Sequence, residues 1–553
     1  MNGYGVKQPM PGVAYPSPEL LAGYVGAGEL RTTTLTEALM ASFRKHASRV
    51  ALATVSRDYT YQELDSLTSR FAAGLMREGL KPLDRVLFQA GNSPDLIIAF
   101  VGCLKAGLIP VCTLPAHRER EIGYLGVHSE ARAHVVQGDD SKFDLADFAR
   151  QMQARIPSMH RIISIGGEAR EGVLRMDDLI AREDAQAAAR AVASVPRDPF
   201  QIGVFQLSGG TTGVPKIIPR TQNGYLLNAE RTIQVMDFVP DDVLFMPMPM
   251  IHNAAMVCFW LPSLLAGSSF AIPADMTPEA WGELFRAKKP TFIGLIRALL
   301  PRLDAMVDQG LGSIERVRGA WAPDAAKILR EKYNLPAQAM FGMSEGLCMY
   351  CRPSDPVEAR DWTVGTPLSP LDEVRLVDPD TGEEVRPGEV GLFTCRGPYT
   401  LNGYYNAPER NAEAFTPDGF YKGGDMMVQR EIEGKLYYAF AGRATDVISR
   451  GHEKINCEDL EAGISTHPAV SGCAVVGMPD ELLGERVCAF LVLRHGHAAP
   501  AVQDMAQHLE RMGFAKFKWP ERIEVIEALP LTKVGKLDKA ALRANLPKLP
   551  QGA

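Results

Sequence analysis

Between Val86 and Ile165 the chain alternates short apolar runs with helix-patterned stretches, and this alternation limits the possible architectures more than any other feature. Val86-Leu87-Phe88-Gln89-Ala90, Ile109-Pro110-Val111-Cys112, Ala133-His134-Val135-Val136 and Arg161-Ile162-Ile163-Ser164-Ile165 read as buried strands, with a helix around residues 93–106. A buried strand followed by a helical crossover returns in the same direction, so the pattern predicts α/β layers with largely parallel sheets. After about Trp362 the character changes to strand pairs with turn punctuation, at Glu373–Val377, Gly391–Cys395 and Leu436–Phe440. Beyond these, Glu458–Ser465 and Val502–Met512 read as helices, and Ala474–Val476 and Ala489–Leu493 as strands, enough for a small α+β domain. A chain of 553 residues exceeds what one core usually serves. We expect a large N-terminal domain over 1–444 and a small C-terminal domain over 445–553, with the boundary at Thr445.

Composition excludes several function classes. A formal charge of −7 offers no basic footprint for nucleic acid. Nine scattered cysteines, with Cys348 and Cys351 lacking a second pair or a His cluster, read as reduced thiols in a cytoplasmic protein. The first residues have no apolar core and do not read as a signal peptide. The stretch from Val243 to Ala274 lacks Asp, Glu, Lys and Arg, yet Pro247, Pro249, Pro262, Pro273 and His252-Asn253 interrupt it. A helix broken that often would strand backbone groups in lipid, so it reads as buried strand, loop and helix, with no membrane association.

The strongest chemical signal is Leu207-Ser208-Gly209-Gly210-Thr211-Thr212-Gly213-Val214-Pro215-Lys216. Glycines let backbone amides approach an anion, three hydroxyls add donors and Lys216 adds charge, a combination suited to a polyphosphate. Val214-Pro215 separates Gly213 from Lys216, so it is not a Walker A loop. Taken alone, it reads equally well as a surface turn. Further along, Phe341-Gly342-Met343-Ser344-Glu345-Gly346 puts an acid after a glycine-containing turn, suited to Mg²⁺ beside phosphates. Asp425 offers a carboxylate to ribose hydroxyls, Arg443 offers a donor fork, and Lys536 sits in a glycine-containing C-terminal segment.

In this order and spacing the segments resemble the adenylate-forming superfamily of acyl-CoA synthetases, aryl-acid ligases and peptide-synthetase adenylation domains, from about Thr33 to Leu546. The resemblance implies a large domain of α/β sheets with a small β-barrel-like part, and a mobile small domain turning about Thr445. It implies that Ser208, Gly209, Gly210, Thr211, Thr212, Gly213 and Lys216 wrap the phosphates of ATP and that Glu345 binds Mg²⁺. Gly319, Ala320, Phe341, Gly342 and Met343 would flank the adenine, Asp425 and Arg443 would hold the ribose, and Lys536 would contact the reacting carboxylate and α-phosphate. The acceptor would be a pantetheine thiol, on CoA or on a carrier protein. Departures from the family pattern are Gly424 before Asp425, Thr445 at the hinge, and His452 in Gly451-His452-Glu453-Lys454.

Within the superfamily the chain is most similar to aryl-acid AMP ligases of the 2,3-dihydroxybenzoate and salicylate type, through Pro249–Asn253, Gly342–Leu347 and Arg396–Tyr405. That implies an acid pocket of His252, Asn253, Ala254, Cys258, Ala320, Met340, Gly346 and Cys348, with His252 also a candidate catalytic residue. Asn253 both donates and accepts, and so suits an ortho hydroxyl or amine. The thiol of Cys258 is a weak partner for a 3-hydroxyl. His252-Asn253 supplies no acid to pair an α-ammonium, which argues against an α-amino acid. The expectation is anthranilate or salicylate, anthranilate placed first. Alternatives are another substituted benzoate, a medium-chain acyl-CoA synthetase or a degenerate adenylate-binding scaffold. The choice between monomer and homodimer stays open.

Overall fold

The computed structural model describes residues 4–208, 215–323, 325–379, 381–443, 447–451, 453–530, 537 and 539–546; for 442, 443, 447, 454, 456, 458 and 540 only the backbone is considered. Two seven-stranded sheets dominate. The first runs, in spatial order, Leu174–Arg175, Arg161–Ile165, Ala133–Gln137, Arg85–Gln89, Ile109–Val111, Ile202–Leu207 and Ile217–Thr221. The second runs Ala337–Gln338, Gly319–Trp321, Phe292–Gly294, Val243–Phe245, Ser269–Ala271, Val50–Ala53 and Asp58–Thr60. Each is parallel except for its last pair.

One continuous core joins the sheets and includes Phe71, Ile98, Leu226, Phe259 and Trp321. The helix Pro94–Lys105 lies within it, capped by Ser93 with Pro94 at its first turn. Its approach to the helix Tyr61–Arg77 requires Gly102, because a Cβ there would stand 2.6 Å from the ring of Phe71. The charge-free stretch forms the strand Val243–Phe245, a helical turn Asn253–Ala255, a π-helical segment Met256–Trp260, the helix Leu261–Ala266 and the strand Ser269–Ala271. Among the described residues no helix is long and apolar enough to cross a membrane. All nine cysteines are buried free thiols.

From Met340 to Arg443 the architecture is antiparallel. A three-stranded sheet of Met340–Gly342, Cys348–Tyr350 and Thr366–Pro367 stands beside a four-stranded one of Glu373–Val377, Val390–Arg396, Tyr421–Ile432 and Lys435–Arg443. The amides of Val364 and Tyr438 bond the carbonyls of Tyr438 and Gly365 at 2.7 and 3.0 Å, joining the sheets as the barrel-like part. Residues 448–514 build a separate core that includes Ile455, Leu460, Val475, Leu491, Leu509 and Phe514. This part meets the large one through buried charges. Lys518 donates to Glu121 at 3.1 Å and to Asp459 at 3.5 Å, and Arg120 also bonds Asp459.

Candidate active site

The flanks of the glycine-rich stretch pair antiparallel at the carboxyl end of the strand Ile202–Leu207, where the amide of Ser208 donates to the carbonyl of Lys216 at 3.0 Å. Gly209, Gly210, Thr211, Thr212 and Gly213 lie outside the described residues, as do Thr445, His452 and Lys536. The hydroxyl of Ser208 is buried with no hydrogen-bond partner among the described residues, a donor fit for a ligand. Lys216 Nζ stands 5.0 Å from the ring centroid of Tyr404. Burial lowers its pKa to about 8, Arg410 adds to the effect and Glu345 opposes it.

Glu345 sits in the turn between Met340–Gly342 and Cys348–Tyr350, which pair antiparallel with Gly342 opposite Cys348. The turn packs against Tyr399-Thr400. Gly346 has φ +140°, and a Cβ on it would meet the carbonyl oxygen of Tyr399 at 2.3 Å, so only glycine fits. The amide of Leu401 donates to the carbonyl of Glu345 at 2.7 Å. The buried carboxylate accepts from the hydroxyl of Tyr404 at 2.8 Å, and Tyr404 pairs in turn with the hydroxyl of Tyr421 at 2.8 Å. Burial, with Glu345 beside it, raises the Tyr404 phenol well above its usual range, so it remains a donor.

The nucleotide candidates lie on four strands, with Met343 in the turn that follows one of them. Ala320 is buried mid-strand between Ile293 and Ala337, and Gly319 admits the ring of Phe292, which a Cβ would meet at 2.5 Å. Phe341 packs edge-on against Phe393 at 5.5 Å, and Met343 bonds the carbonyl of Leu347 through its amide at 3.2 Å. Asp425 is buried and stands directly opposite Arg443 across the antiparallel pair, beside a bulge at Met426/Met427. Gly424, one of the departures, takes φ +73°, a conformation glycine adopts freely.

The acid-pocket candidates lie on several elements: His252 to Cys258 on the segment after Val243–Phe245, Ala320 within Gly319–Trp321, and Met340, Gly346 and Cys348 at the three-stranded sheet. Asn92 accepts from the amide of Met250 at 2.7 Å and donates to the carbonyl of Met248 at 2.8 Å, fixing the loop before His252. His252 Nδ1 accepts from the amide of Ala254 at 3.3 Å. Asn253 is buried, and its Oδ1 accepts from the hydroxyl of Tyr225 at 2.8 Å. In the π-helical segment Cys258 Sγ lies 3.1 Å from the hydroxyl of Tyr350, and burial pushes its pKa far above the usual thiol value. Met256 is spent on Tyr225, whose hydroxyl lies 3.2 Å from its sulfur. Cys348 accepts weakly from Asn228 at 3.8 Å, and both Met340 Cε and Cys348 Sγ lie within 3.1 Å of where a Cβ on Gly342 would stand.

One charged residue ties the two halves together, and sequence reasoning missed it. Arg220 is fully enclosed, donates to the carbonyl of Ser344 at 2.8 Å and to Asn228 at 3.3 Å, and lies 4.7 Å over the ring of Tyr225. Tyr225 and Gln206 were missed as well. Their signal was a polar residue inside an apolar strand, Gln206 in Ile202–Leu207 and Arg220 in Ile217–Thr221. Among the described residues there is no group of three His, Cys, Asp or Glu side chains that could hold a metal ion.

Comparison with known proteins matches residues 39–405 to the AMP-binding enzyme family and residues 459–536 to the AMP-binding enzyme C-terminal domain. The chain is 36% identical over 506 residues to the 2,3-dihydroxybenzoate-AMP ligase of Bacillus subtilis, covering 90% of this chain and 91% of that one. It is 35% identical over 537 residues to the Mycobacterium tuberculosis salicyl-AMP ligase / salicyl-S-ArCP synthetase, covering 95% and 93%. The solved apo structure of MbtA from Mycobacterium smegmatis superposes with a TM-score of 0.73 at 34% identity, covering 96% of this chain and 98% of that one.

Proposed function

The chain belongs to the AMP-binding enzyme family, within the aryl-acid AMP ligases of the adenylate-forming superfamily, and from that premise we propose that it activates an ortho-substituted benzoate with ATP and passes the acyl group to a pantetheine thiol. One observation supports the reading: an unbroken run of contacts links residues we assign to the phosphates with residues we assign to the acid. Lys216 faces Tyr404, Tyr404 bonds Glu345, Arg220 bonds the neighbouring carbonyl of Ser344 and covers Tyr225, and Tyr225 bonds Asn253.

The chemistry needs no side-chain nucleophile. A carboxylate oxygen forms a bond to the α-phosphorus as the bond to pyrophosphate breaks, giving an acyl-adenylate. The reactants are both anions, so cations placed where charge develops lower the barrier. In our reading Lys536 meets the reacting oxygens, while Ser208, Gly209, Gly210, Thr211, Thr212, Gly213 and Lys216 enclose the departing phosphates. Glu345 would hold Mg²⁺, which supplies charge neutralisation there. Phe341, Gly342, Met343, Gly319 and Ala320 flank the base, and Asp425 with Arg443 takes the ribose. The thiol sulfur then bonds the acyl carbon as AMP leaves and the thiol proton is released. Rotation of 445–553 about Thr445 serves that second step, with His252 at the mouth of the acid pocket. The acceptor is CoA or a carrier protein; incubation with ATP, the acid and CoA, read by mass for aryl-CoA, separates them.

ATP–pyrophosphate exchange across a panel of benzoates tests the reading. Exchange with no ortho-substituted benzoate overturns it, and faster exchange with 2,3-dihydroxybenzoate than with both anthranilate and salicylate discards the choice of an acid with a single ortho group. Lys536→Ala should lower exchange by orders of magnitude.

A further inference from the structure

The sequence leaves the polarity of Asn253 open, because an amide presents either its oxygen or its nitrogen. The structure has a device that decides it. Gln206 Nε2 donates to the phenolic oxygen of Tyr225 at 2.9 Å. The single hydroxyl hydrogen of Tyr225 has two acceptors within reach, Asn253 Oδ1 at 2.8 Å and Met256 Sδ at 3.2 Å. A carbonyl oxygen is the stronger acceptor, so the hydrogen goes to Asn253. Gln206 Nε2 also points to Met256 Sδ at 3.6 Å, so both its recorded contacts use the nitrogen. All members are buried, and burial drives the Tyr225 phenol well above its usual range, so it stays a donor. With Oδ1 turned to Tyr225, Nδ2 faces away from it as a donor with no hydrogen bond to a described residue.

We propose that Tyr225, held by Gln206, is a positioning residue that turns Asn253 into a hydrogen-bond donor, so that the site selects an acceptor ortho to the reacting carboxylate, an ortho-hydroxybenzoate over an ortho-aminobenzoate. This rests on the aryl-acid ligase reading above. In an ortho-hydroxybenzoate the hydroxyl hydrogen bonds its own carboxylate and leaves oxygen lone pairs for Nδ2. In an ortho-aminobenzoate the nitrogen lone pair is delocalised into the ring, and a second N–H faces the amide N–H. Donor against donor leaves both unsatisfied in a buried site. The order expected from sequence, anthranilate first, is thereby reversed.

The test measures kcat/KM in pyrophosphate exchange for salicylate, anthranilate and unsubstituted benzoate, with wild type, Tyr225→Phe and Gln206→Leu. Wild type should prefer salicylate to anthranilate. Tyr225→Phe frees the amide to turn over, so the salicylate-to-anthranilate ratio should fall about tenfold, each rate being read against the same variant's turnover of benzoate, which has no ortho group. A wild type that prefers anthranilate, or an unchanged ratio in Tyr225→Phe with benzoate turnover retained, overturns the relay while leaving the ligase reading intact. If Tyr225→Phe loses benzoate turnover too, Gln206→Leu decides: a lowered ratio supports the relay and an unchanged one overturns it. Wild type exchanging with none of the three acids sinks the functional reading and this inference together.

Discussion

The hydroxyl of Tyr404 donates to Glu345 Oε1 across 2.8 Å while the face of the same ring carries Lys216 Nζ at 5.0 Å from its centroid. One side chain thus touches both an anion and a cation, the two groups we propose for the phosphate end of the nucleotide site. Its phenol cannot ionise near neutral pH, so it serves as a fixed donor.

Removing that donor should loosen the carboxylate without unmaking the ring contact. Tyr404→Phe is expected to raise the KM for MgATP about tenfold, the size of a lost hydrogen bond to a charged group, with the KM for the aromatic acid unchanged. Steady-state exchange kinetics at varied MgATP check this, and an unaltered KM for MgATP would remove Tyr404 from the site.

Lys216 predicts a proton linkage. With its pKa lowered to about 8 by burial, the folded protein has lost this proton across pH 8 to 10.5 while the unfolded chain still holds it. Over that window the unfolded state binds more protons, so this residue makes stability rise with pH, and below pH 8 it contributes a constant cost. A bound polyphosphate restores the charge. Near pH 8, pyrophosphate binding should take up about half a proton, read by titration calorimetry in buffers of different ionisation enthalpy, and Lys216→Met should abolish the uptake.

Asp425 faces Arg443 across the strand pair, where a carboxylate can accept from both ribose hydroxyls. Asp425→Ala should therefore erase sugar discrimination rather than base discrimination. The kcat/KM ratio of ATP to 2′-deoxy-ATP should fall to within about threefold of unity, while GTP stays excluded. A ratio equal to that of wild type would assign the ribose to other residues.

The charges between the two parts of the chain carry a stability prediction. Lys518 is enclosed by Glu121 and Asp459, with side-chain exposures of 10%, 1% and 2%. Burial raises the pKa of Asp459, opposed by Lys518 and Arg120, and Glu121 is held down against its own burial by Lys518 and then His117. Lys518→Met leaves two buried carboxylates under-compensated and should cost about 3 kcal/mol. In that variant both carboxyl pKa values move upward, so their contribution is favourable at low pH and lost as pH rises through the folded values. The melting-temperature deficit relative to wild type should thus narrow between pH 7.5 and pH 5.5, and a pH-independent deficit would contradict the assignment.

Much of this protein was legible in the linear chain because the relevant signals are local. Apolar runs between helical stretches foretold the parallel strands Arg85–Gln89, Ala133–Gln137 and Arg161–Ile165, and four prolines around a polar His252-Asn253 foretold a broken, buried segment rather than a span. The expected turn at Ser208–Lys216 is flanked by the paired strands Ile202–Leu207 and Ile217–Thr221, and Glu345, Asp425 and Arg443 drew notice by residue type and order. What the chain could not disclose is how pieces distant in sequence act on one another. Arg220 reaches Ser344, 124 positions away, and Tyr225 reaches Asn253, 28 positions away. The orientation of Asn253 belongs to that second class: an asparagine carries a donor and an acceptor of nearly the same shape. Only the enclosed Gln206–Tyr225 pair, brought alongside by the packing of Gln222–Met236 against the first sheet, determines which of the two it presents.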